Sequence, residues 1–119
     1  MTTLVACLST GKGTWGHVSR LMNDSNWDKI FLITNNFGKE NFNTENKPIE
    51  LIVADDKGGL EELRDSIIKE LEGKIKDTEV SINLVSGSGK EHMAIMAAIL
   101  KLGVGIRLTA LTKDGVKEI

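Results

Sequence analysis

Two glycine-rich segments carry the residue types that hold anions. The first, Gly11-Lys12-Gly13-Thr14-Trp15-Gly16, spells G-x-G-x-x-G after one apolar run and ahead of a helical one. Glycines at that spacing let the backbone approach a pyrophosphate, as in dinucleotide-binding proteins. That pattern also calls for an acidic residue near the end of the second strand, where this chain has Thr34, Asn35 and Asn36. A tight turn that only needs pliable residues is the plainer alternative. The second segment, Ser86-Gly87-Ser88-Gly89-Lys90, fails as a P-loop, because Leu84 and Glu91 stand where a glycine and a magnesium-binding hydroxyl are required. It keeps the parts of a phosphate site. Gly87 and Gly89 open the backbone, Lys90 adds charge, Ser86 and Ser88 add hydroxyls, and a helix begins beyond them. Ser86 or Ser88 as a plain helix cap is the competing duty, and the two can coexist.

Other reactive side chains are sparse. His17 and His92 each fall just inside a helix that follows a glycine turn, where His17 could serve as a base. Packing is the commoner fate of such histidines, and two of them do not make a zinc site. Asp55 and Asp56 suit helix capping better than metal binding. Cys7, the single cysteine, sits in an apolar run and reads as a core thiol, which excludes an internal disulfide. No metal and no cofactor are expected.

Short apolar runs and helical periodicities must position these groups. Strands are expected over 3–9, 29–34, 49–54, 79–85 and 105–111, the first a continuous apolar run and the second likewise buried, as in parallel sheets. A helix is expected over 17–22. Leu60, Leu63, Ile67, Ile68, Leu71 and Ile75 repeat at helical spacing, with Gly73 at the fraying end. The segment 91–102 is apolar nearly all round, so its helix should be buried on more than one side. Residues 35–47 hold five Asn and no period, and read as a loop. Asp114-Gly115 is a hairpin signal, so 116–119 should form a short antiparallel edge. Alternating strands and helices predict one α/β domain: a Rossmann-like three-layer sandwich with a mostly parallel sheet of five to six strands. In such a sheet strands one and four are neighbours, and both glycine turns open on one crevice at their carboxyl ends.

Composition narrows the partners. Fifteen basic residues against seventeen acidic ones give a net charge of −2, which lacks the basic surplus of a general nucleic-acid coat, so no long nucleic acid is expected. Two Trp, three Phe and no Tyr leave few rings for stacking bases. No apolar run is long enough to span a membrane, and no signal peptide opens the chain, so the expected compartment is the cytoplasm.

Strand four and its turn read Ile82-Asn83-Leu84-Val85-Ser86-Gly87-Ser88-Gly89-Lys90, followed by a helix rich in Met and Ala. This resembles the signature of the CARF (CRISPR-associated Rossmann fold) domain, and the order of elements is similar over essentially the full length. Asn83 falls at the family asparagine, and Ser86, Gly87 and Lys90 fall at the turn's hydroxyl, glycine and base. Ser88-Gly89 inverts the family's usual order of glycine and hydroxyl. The resemblance implies a homodimer that binds cyclic oligoadenylate, a messenger of type III CRISPR defence, in a crevice on the two-fold axis. Standalone members imply a ring nuclease that opens the messenger without metal, through attack of a 2′-OH on the adjacent phosphorus. On that reading Lys90, Ser9 and Ser86 would be the catalytic groups. Thr10, Gly11, Lys12, Gly13, Thr14, Trp15, Asn83, Gly87, Ser88, Gly89 and His92 would line the ligand. Binding and cleavage stand side by side at this point. So do a dinucleotide-binding protein using the first turn, and a non-catalytic interaction module built on the apolar helix from Met93 to Leu102.

Overall fold

The computed structural model describes residues 3–8, 12–24, 26–35, 49–54 and 58–119. Strand β1 (Thr3–Leu8) is followed by a 3-10 turn (Lys12–Thr14) and helix α1 (Trp15–Asp24). Then come β2 (Lys29–Thr34), β3 (Ile49–Val53), α2 (Leu60–Leu71), β4 (Glu79–Asn83), α3 (Gly89–Lys101), β5 (Gly105–Thr112) and β6 (Gly115–Glu118). The six strands form one sheet in the order β3-β2-β1-β4-β5-β6, parallel except for the antiparallel β5–β6 hairpin. Cα partners such as Val5 with Phe31 and Val5 with Ile82 fix the register of β1 between β2 and β4. The reversal of strand order therefore lies between β1 and β4, as the sequence predicts.

Alternation along β1 sends its side chains to two separate cores. Val5 and Cys7 pack with Phe31, Ile82, and the α2 and α3 residues Leu63, Ile67, Ile95 and Ile99. Leu4, Ala6 and Leu8 pack with Ile30, Leu32, and the α1 residues Val18, Leu21 and Met22. These clusters hold the sheet rigid beneath its carboxyl edge.

Several boundaries differ from the periodicity, each for a local reason. Strand β4 stops at Asn83, two residues early, because its side-chain Oδ1 accepts from Val85 N at 3.3 Å and bends the chain out of the ladder. Helix α1 begins at Trp15, so Trp15 and Gly16 of the first glycine segment are helical, while Gly13 and Thr14 lie in the 3-10 turn. Helix α2 ends at Leu71, short of Ile75, because Gly73 takes φ +78°, the left-handed conformation that stops helices. Ile75 still packs against the α2/α3 core from the connecting segment. Helix α3 is buried along one stripe, Ala94, Ile95, Ala98 and Ile99, but Met93 and Leu100 are 64% and 63% exposed. Its second apolar side is thus open in the single chain. The expected contacts of Ser9, Thr10, Gly11, Asp55 and Asp56, and most of the 35–47 loop, fall outside the described residues. No helix of the described residues is long and apolar enough to cross a membrane.

Candidate functional site

Tight packing and side-chain hydrogen bonds shape the segment after β4. Gly87 adopts φ +109°, and a Cβ there would come within 2.6 Å of Cys7 Sγ on the neighbouring β1. That glycine is therefore demanded by the fold. Ser88 caps α3: its Oγ accepts from Glu91 N at 3.2 Å, and Glu91 Oε1 accepts from Ser88 N at 2.8 Å. This reciprocal capping box is the bland duty that the sequence offered for Ser88. His92, one turn into α3, reaches back to Ser86 O at 2.8 Å. A carbonyl only accepts, so His92 carries its proton on Nε2 and donates it. Ser86 itself is buried.

Asn83 ties this turn to the rest of the carboxyl edge. It is buried, and its Nδ2 donates to Thr109 O at 2.9 Å. That bond and the acceptance from Val85 N fix the amide's orientation, leaving Nδ2 3.2 Å from His17 Nε2. The N–H of Leu111 points at the same nitrogen from 3.4 Å. Facing two donors, His17 Nε2 must accept, so the neutral ring holds its proton on Nδ1. The two histidines, alike in their place near helix starts, are in opposite tautomers. His17 also brings the start of α1 against the ends of β4 and β5, which places both glycine segments at one edge of the sheet.

Lys90 is exposed, and its ammonium donates to Gly58 O, ahead of α2. Gly89, at the first position of α3, has open space where a Cβ would be. Its N–H has no acceptor among the described residues. Gly13 likewise meets nothing within 4 Å. Neither glycine shows the positive φ or close packing that makes Gly87 obligatory. An anion approaching this edge would therefore find the Gly89 amide, the helix dipole and the Lys90 charge, while Ser88 N–H is already occupied by Glu91.

Glu91 is the residue that the motif reading undervalued, entering it only as a mismatch to a P-loop. The signal was present, since Ser88-Gly89-Lys90-Glu91 has the S-x-x-E spacing of a capping box. Glu91 Oε2 also lies 4.0 Å from Cys7 Sγ. Burial, and next the Glu91 charge, push the Cys7 thiol far above its usual range, so it stays protonated and is no nucleophile. Among the described residues no three His, Cys, Asp or Glu side chains gather as a metal site.

A hollow of about 500 Å³ is at the opposite end of the sheet, beside Thr3, Lys29, Glu50, Lys74 and Asp77. Several of its polar groups are paired: Glu50 pairs with Lys74 and with Lys29 at 3.4 Å, and Thr3 Oγ1 donates to Asp77 Oδ2 at 2.7 Å. No family model matches the chain, and no curated protein matches it in sequence.

Proposed function

We propose that this chain is a CARF-like domain, a Rossmann-like three-layer sandwich that binds cyclic oligoadenylate at the carboxyl edge of its sheet. One observation carries the reading. The turn and α3 N-terminus that follow β4 lie at the β1/β4 switch point, with an accessible Gly89 amide and the Lys90 ammonium in sequence order. The ligand is a ring of phosphates and bases, and such a site offers a phosphate both backbone N–H groups and a full charge. Ser9, Thr10, Gly11, Lys12, Gly13, Thr14 and Trp15 would close on the ring from the first segment. The apolar edge of α3, with Met93 and Leu100 exposed, supports pairing with a second copy across a two-fold axis. The compartment that suits this function is the cytoplasm.

Ring opening needs little from the protein. A ribose 2′-oxygen attacks the adjacent phosphorus, and the bond from phosphorus to the 5′-oxygen breaks. The products are a 2′,3′-cyclic phosphate and a 5′-hydroxyl. The 2′-OH proton leaves to water, and water protonates the 5′-oxygen. Lys90 would stabilise the charge that develops on phosphorus, with Ser9 and Ser86 orienting phosphates. His92 donates Nε2–H to the turn and His17 accepts at Nε2, so the ring nitrogens that contact protein are committed to structure. Turnover is accordingly expected to be slow.

The test is incubation with labelled cyclic tri-, tetra- and hexa-adenylate in the presence of chelator, followed by separation of products and measurement of binding. At least one ring should bind, and cleavage should yield cyclic-phosphate ends. Gly89→Val should retain the fold and lose binding, because its side chain enters the open space beside the amide. Failure of all three rings to bind folded wild-type protein would overturn the reading.

A further inference from the structure

The α1-side face of the sheet is polar beyond the helix. Along β4 and β5, Ser81, Arg107 and Thr109 face this side, alternating with Val80, Ile82 and Ile106, which join the α2/α3 core. With Trp27 at the rim, they line a hollow of about 270 Å³. That is near the lower end of the roughly 300–1,000 Å³ range of ligand clefts, and fits one ring better than a chain of them.

Two features distinguish this hollow from a merely wet surface. Ser81 and Thr109 are each only 7% exposed, yet neither hydroxyl has a hydrogen-bond partner among the described residues. Among the described residues the buried side-chain atom left without a partner is Thr34 Oγ1, so the Ser81 and Thr109 hydroxyls are not sealed in the core but open into the hollow. Here two hydroxyls on adjacent strands line the hollow. The charges around them, by contrast, are spent: Arg107 pairs with Glu79 and Glu118, and Lys117 pairs with Asp114 at 3.6 Å. An ion would find no uncompensated charge. Trp27 donates its indole N–H to Leu21 O at 3.0 Å, which anchors the ring and leaves its carbon surface as the part it can offer.

We infer that this hollow is a second site, separate from the carboxyl edge, for a neutral sugar ring. Ligand hydroxyls would exchange hydrogen bonds with Ser81 and Thr109, which both donate and accept. The C–H surface of the ring would lie against Trp27. The sugar can come from a free saccharide or from the ribose of a nucleoside.

The test is titration of isotope-labelled protein, separately, with D-glucose, D-ribose and adenosine, followed by amide and indole resonances. Saturable shifts at Trp27, Ser81 and Thr109 are expected with at least one probe. Response to adenosine alone identifies a nucleoside source, and response to the free sugars identifies a saccharide. Ser81→Ala combined with Thr109→Val should weaken that binding about threefold to tenfold, the loss of one ordinary hydrogen bond or slightly more. The thermal midpoint should hold, since neither hydroxyl bonds to another described residue. Ser81→Ala alone serves if the double variant unfolds, and should weaken binding in the same direction. Absence of saturable shifts with all three probes, or wild-type affinity in the folded variant, overturns the inference. Neither outcome bears on cyclic oligoadenylate binding at the other site.

Discussion

At the amino end of the sheet, the Glu50 carboxylate pairs with both Lys29 and Lys74 beside a hollow of about 500 Å³. At the carboxyl end, Asn83, Ser88, Glu91 and His92 lock a turn that leaves the Gly89 amide open, with the Lys90 ammonium beside it on Gly58 O. The first end is a volume whose Glu50 carboxylate is already held by two lysines. The second is a small frame of directed donors. Binding of an anion depends on preorganised donors more than on empty space, which favours the proposed site at the carboxyl end.

The sharpest way to break this contrast is at Gly87. Valine there must adopt φ near +109° and clash with Cys7 Sγ, so Gly87→Val should cost about 3 kcal/mol or more. Gly89→Val lacks both problems and should cost under about 1 kcal/mol, a difference that urea denaturation will resolve. A Gly87→Val protein as stable as wild type would mean that the turn is not frozen.

A smaller loss is expected at the cap. Ser88→Ala removes the side-chain acceptor for Glu91 N and should cost about 1 kcal/mol, whereas Ser88→Asp should retain most of it. Equal losses in the two variants would show that capping is not what Ser88 contributes.

Glu50 should give the smallest effect, and one confined to the amino end. The hydrogen bond from Lys74, followed by the Lys74 charge and the contact with Lys29, outweighs desolvation and lowers the carboxyl below its usual range. A lowered folded pKa means stability that is present above the unfolded value and lost as pH falls through the folded one. Wild type should therefore exceed Glu50→Gln by less than about 1 kcal/mol at neutral pH. The gap should close below the ordinary carboxylate range and shrink with salt, while anion binding at the carboxyl end stays unchanged. A gap that widens on acidification would reverse the sign assigned to Glu50.

Much of the frame was legible because it is local. The apolar runs at 29–34 and 49–54, the helical repeat from Leu60 to Leu71, and the Asp114-Gly115 hairpin all occur where short-range pattern puts them. The adjacency of β1 and β4 followed from the rules of parallel sheets. What periodicity missed depends on contacts across the chain. The amide of Asn83, whose bond to Val85 N ends β4 early, is oriented by Thr109 O, 26 residues away in sequence. Gly87 is obligatory because Cys7 lies under it, on a different strand. A motif reading treats Gly87 and Gly89 as equals, but packing makes the first structural and leaves the second open.

The most direct measurement is equilibrium titration of wild type and Lys90→Ala with cyclic tetra-adenylate, alongside the tri- and hexa-adenylate rings, with folding checked in parallel. If the carboxyl edge holds a phosphate, Lys90→Ala should weaken binding by about 1.5–3 kcal/mol, the range for a hydrogen bond to a charged group. Its thermal midpoint should move little, since an exposed lysine contributes little to the fold. Unchanged affinity for every ring that the wild type binds would remove Lys90 from the site and contradict the assignment of phosphate binding to the α3 turn.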